Sequence, residues 1–70
     1  MKKKKAWMFK GAIVLALGKK ATITKMQVNN LDGVDYVYYI FCKVEGENFS
    51  GNYHPNDVEE LVINNVATKG

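Results

Sequence analysis

Nine residues near the middle of the chain, Tyr36-Val37-Tyr38-Tyr39-Ile40-Phe41-Cys42-Lys43-Val44, constrain this fold more than any others. They are aromatic or β-branched almost throughout, with Gly33 before them and Gly46 after. Such side chains lose rotamer freedom in a helix and pack well on a pleated surface, so the segment predicts a strand. Alternation puts Tyr38, Ile40, Cys42 and Val44 on one face, and Val37, Tyr39, Phe41 and Lys43 on the other. The face ending in Lys43 is the expected outer one, because an unpaired lysine is rarely buried.

The rest of the chain reads as shorter strands joined by turns. Gly11 opens a first strand over Ala12 to Leu17, and Gly18-Lys19-Lys20 turns the chain. Ala21 to Val28 is the second strand, with Ala21 and Ile23 on one face and Met26 and Val28 at the opposite parity. A β-bulge near Thr24-Lys25 returns the latter pair to the core. Asn29-Asn30-Leu31-Asp32-Gly33 tolerates positive φ and predicts a hairpin loop. Glu45 to Asn48 is the next turn, and Phe49 to Tyr53 the fourth strand. Pro55 suits the first position of a single helical turn over Asn56-Asp57, and Val58 to Val62 closes the set. Asp57-Val58-Glu59-Glu60 could also start a helix, but Val62, Ile63, Val66 and the Asn64-Asn65 pair oppose its extension. The expected class is all-β: a small five-stranded barrel or partly open roll, with one helical turn before the last strand.

Size and charge bound what such a domain can be. Seventy residues make one domain, whose net stability is about 3–5 kcal/mol. Residues 1–9 read as a basic and apolar arm, 10–62 as the barrel and 63–70 as a frayed tail. The lone cysteine, Cys42, cannot form an internal disulfide, which fits a reducing compartment. Met1 to Leu31 carries eight lysines and no acid, and all seven acids follow. Without Lys2 to Lys5 the net charge falls from +3 to −1, so the basicity resides largely in the arm. There is no arginine, the best bidentate group for phosphates. Lys10 breaks the N-terminal apolar run too early for an export signal, and no run approaches the roughly 20 apolar residues of a spanning helix. The expected location is the cytoplasm.

The order of these features resembles small Src-homology-3-like (SH3-like) barrels of the Tudor and KOW type. The resemblance rests on Gly11-x-x-Val14, Gly18-Lys19-Lys20-Ala21-Thr22-Ile23, Tyr38-Tyr39-Ile40-Phe41 and Tyr53-His54-Pro55-x-Asp57-Val58-x-x-Leu61. It covers residues 10 to 62 by pattern, and each motif alone is unspecific. It implies an SH3-like barrel and a habit of binding, as in small accessory proteins of bacteria and phages. It supplies no ligand, and no complete aromatic cage can be placed.

Little in the chain is reactive. Cys42 and His54 could pair as nucleophile and base, but Cys42 has inward parity in an apolar strand and His54 adjoins a turn-forming proline. No metal set, calcium loop or cofactor motif is present at a usable spacing, and Asp32 and Asp35 alone do not make one. Tyr39 and Phe41 on the outer face, with Tyr53 and His54 near a strand end, are the expected partner-binding residues. The opposing reading is that Trp7-Met8-Phe9 folds over those rings and completes the core. Nucleic acid is the alternative partner: Lys19, Lys20 and Lys25, with the arm, would neutralise phosphates beside a stacking ring. The expectation is a non-catalytic module for a protein partner or for self-association, with no cofactor.

Overall fold

In a computed structural model, which describes residues 2–61, the chain is an antiparallel sheet curled into a half-barrel. Its strands are β1 (Lys2–Lys3), β2 (Ile13–Ala16), β3 (Lys19–Leu31), β4 (Val34–Val44), β5 (Ser50–Tyr53) and β6 (Val58–Glu60). The order across the sheet is β1-β4-β3-β2-β6, with β5 also on β4. The five strands β2 to β6 form the curl, and the two-residue β1 is an addition at its edge. A single 3₁₀ turn, Pro55–Asp57, precedes β6. There His54 is the cap: its Nδ1 accepts from the Asn56 N–H at 3.1 Å.

Both tight hairpins use two residues in the left-handed region, as type I′ turns require. Asp32 and Gly33 stand at φ 54° and 83°, and Leu17 and Gly18 at 52° and 81°. The expected loop over residues 29–33 therefore shrinks to Asp32-Gly33, and Asn29 to Leu31 belong to β3. The expected turn at Gly18-Lys19-Lys20 moves back by one residue. Lys19 and Lys20 pair with Ala16 and Leu15 inside the ladder. A two-residue I′ turn matches the strands' right-handed twist, and glycine at its second position accepts the positive φ without strain.

The β3–β4 ladder carries two irregularities. The first lies between Ile23 and Lys25, at the bulge expected there, and Thr24 is its extra residue. It brings Met26 and Val28 onto the core. The second lies where Gln27 pairs with Tyr39 but Val28 pairs with Val37, leaving Tyr38 as the extra residue on β4. This overturns the expected faces at the start of that strand. Val37 is fully buried and Tyr38 is exposed, because a bulge inverts the parity of everything beyond it. Ile40, Cys42 and Val44 are buried as expected.

The core joins Met8, Val14, Ala21, Ile23, Val37, Ile40, Cys42 and Val58, with Trp7 and Tyr53 packed against it. The N-terminal segment enters by pairing Lys2 with Val37 and Lys3 with Tyr36, and Met8 is drawn in at 0% exposure. Phe49 lies outside the fourth strand, which starts at Ser50, and is 68% exposed. The last strand ends at Glu60. Val62 and the tail 63–70 lie outside the described residues. Among the described residues no helix is long and apolar enough to cross a membrane.

Candidate functional site

Two of the expected contact residues come together on the outer face. Tyr39 and Phe41, two apart on β4, project to the same side and pack edge to face, centroids 5.4 Å apart at 74°. Both are half-buried, and neither belongs to the core cluster. Their cross-strand partners on β3 are Gln27 and Lys25. Lys25 Nζ lies 5.8 Å from the Phe41 centroid, a cation–π distance. Met8 and Trp7 pack on the inner cluster instead, so the arm completes the core through the other face of the sheet.

A hydroxyl bridge braces this face. Thr24 Oγ1 donates to the Phe41 carbonyl at 3.2 Å and stands 2.8 Å from Ser50 Oγ. With the threonine's one proton used on the carbonyl, Ser50 is the donor in the second contact. The bridge thus links β3, β4 and β5 at the Thr24 bulge.

The lysines divide by parity. Lys20 pairs with half-buried Leu15 and shares its outer face with Thr22. Thr22 lies opposite Lys43. Lys20, Lys25 and Lys43 therefore point to the same side as Tyr39 and Phe41. Lys19 pairs with buried Ala16 and stands on the opposite side at the rim. A shallow hollow of about 300 Å³ on this side is lined by Ile13, Thr22, Lys20, Lys43 and Glu45. A second hollow, about 400 Å³, is lined by Lys3–Lys5, Gly33 and Asp35.

Tyr53 and His54 stand apart from this face. Tyr53 pairs with Ile40 and leans on the core, its ring folded over Gly51, where a Cβ would stand 3.1 Å from Tyr53 Cε1. His54 is exposed, with Nδ1 engaged by the turn it caps. Cys42 is fully buried, and desolvation pushes its thiol up to about 11, leaving little thiolate at neutral pH. Among the described residues no three His, Cys, Asp or Glu side chains gather as metal ligands would.

Sequence reasoning put Lys43 on the outer face with Tyr39 and Phe41 but did not count it among the contact lysines, which were Lys19, Lys20 and Lys25. The Thr24–Ser50 bridge had no sequence signal, because the two residues are 26 positions apart. No family model, curated protein or solved structure matches the chain.

Proposed function

We propose that this chain is a non-catalytic, SH3-like binding module of the cytoplasm, whose outer face on β3 and β4 receives a protein partner. The SH3-like reading is supported by the order β6-β2-β3-β4-β5 and by the 3₁₀ turn that carries β5 across to β6. The observation that carries the binding reading is the Tyr39–Phe41 pair. Two adjoining rings stand outside the core, half-accessible, with Gln27, Asn52 and Lys25 around them. A small apolar centre with a polar rim is the usual anatomy of a contact surface. Phe41 pairs with Asn52 on one side and Lys25 on the other.

A second reading, nucleic acid, is favoured by one observation: Lys20, Lys25 and Lys43 share that face with the rings. The two readings separate by photo-crosslinking. A benzophenone amino acid replacing the exposed Gln27, beside Tyr39, is irradiated in the native cells. Protease-sensitive adducts that vanish in a Phe41→Ala background support a protein partner, and nuclease-sensitive adducts support the second reading. No adduct, or one indifferent to Phe41→Ala, defeats both.

A further inference from the structure

Resting on the binding reading above, we infer that the outer face recognises an extended acidic segment of a partner protein, with an apolar side chain seated against Tyr39 and Phe41. The charge pattern supports this first. β3 holds no acid over Lys19–Leu31, and β4 holds none from Tyr36 to Val44. The outward positions of the two strands present Lys20, Lys25 and Lys43, so a row of carboxylates meets complementary charge. Glu45, which lines the hollow, and Glu59, opposite Leu15 on β6, leave three lysines against two acids along this strip.

The ring geometry selects between anionic partners. A nucleobase needs a free flat ring face on which to stack. Lys25 lies over the Phe41 ring, and Tyr39 meets Phe41 at 74° rather than coplanar. The pair offers a corner, which fits a branched aliphatic side chain better than a planar base. The hollow along the same face is lined by Ile13, Ala21 and Thr22 and by two cations, Lys20 and Lys43, against one acid, Glu45. That arrangement takes a carboxylate next to an apolar group. Successive outward residues on a strand are about 6.8 Å apart, the same repeat that an extended peptide presents on one side.

The test uses the full chain, ¹⁵N-labelled, and defined probes. These are a blocked decapeptide alternating Asp and Leu, its Lys–Leu and Asp–Ser counterparts, and a deoxythymidine decamer. The Asp–Leu peptide is expected to shift the amides of Lys25, Gln27, Tyr39 and Phe41, with affinity falling as salt rises. The two counterpart peptides and the oligonucleotide should bind at least roughly tenfold more weakly, as should Asp–Leu to Lys25→Glu/Lys43→Glu. If that variant loses its native spectrum, Lys25→Gln/Lys43→Gln carries the same comparison with a smaller loss. Tighter binding of the oligonucleotide overturns the inference. So do undiminished binding by the variants, shifts confined to another face, or no Asp–Leu binding at about 1 mM. Protein crosslinks at Gln27 without Asp–Leu binding would remove the acidic class and leave the binding module standing.

Discussion

Thr24 on β3 and Tyr38 on β4 are each the extra residue of a bulge, and the two bulges sit on opposite strands of one ladder. The second restores the register that the first displaces. The strands consequently meet again in step and close in the two-residue turn Asp32-Gly33. Between the bulges the ladder is offset by one residue, and that offset segment carries Lys25, Gln27, Tyr39 and Phe41. The candidate contact face is therefore the part of the hairpin enclosed by its two irregularities.

The Thr24 hydroxyl holds the first bulge to β4 and β5. Thr24→Val keeps the β-branch and volume but removes both hydrogen bonds, so it should cost about 1 kcal/mol. For a domain of this size that lowers the melting temperature by roughly 4–8 °C. Circular dichroism on heating checks it. An unchanged melting temperature would mean that the bridge contributes nothing.

Leu17 occupies the first left-handed position of its turn at φ 52°, with its side chain 66% exposed. Its N–H donates to the Asp57 carbonyl at 2.9 Å, which any residue but proline can supply. The left-handed conformation costs a leucine about 1–2 kcal/mol, and asparagine tolerates it better. Leu17→Asn creates the preferred Asn-Gly turn and should raise the urea midpoint with an unchanged m value. A lower midpoint would assign Leu17 a packing role that its exposure denies.

Met8 and Phe9 are neighbours with opposite fates. Met8 is fully buried and Phe9 is 53% exposed. Met8→Ala should cost about 2–5 kcal/mol, comparable to the whole stability of roughly 3–5 kcal/mol expected at this size, and so leave much of the chain unfolded. Phe9→Ala should stay within about 0.5 kcal/mol of the parent. Denaturant curves for the two variants decide it, and equal effects would contradict the packing of the arm.

Cys42 gives the fold a dependence on alkaline pH. Burial pushes its thiol from the ordinary 9.0 to about 11. Between those values the unfolded chain releases a proton that the folded chain keeps. The folded state then holds more protons, and stability falls as pH rises through that window. Cys42→Ala removes this contribution while leaving every tyrosine and lysine in place. Its stability should fall less steeply from pH 9 to 11 in parallel urea titrations, and identical slopes would refute the assignment.

Much of this molecule was legible in its residues. Local preference alone identified the strand through Tyr39 to Val44 and the single turn at Pro55. The misplaced parity of Met26 and Val28 identified the Thr24 bulge. The reversal of Val37 and Tyr38 was not legible, because both are good strand residues and either could face inward. Tyr53 and His54 were grouped with Tyr39 and Phe41 by their chemistry. The curl separates them by turning Tyr53 onto the core and committing His54 to a cap.

By itself the sequence determined that this chain forms strands, that turns lie near Gly18 and Gly33, and that its central strand is amphipathic. Those properties depend on side chains within a few residues of one another. Only the tertiary structure decided that Val37 turns inward and Tyr38 outward, that Met8 completes the core, and that three distant lysines share one face. Register belongs to a pair of strands rather than to either alone, and one extra residue in a ladder exchanges inside for outside along everything that follows.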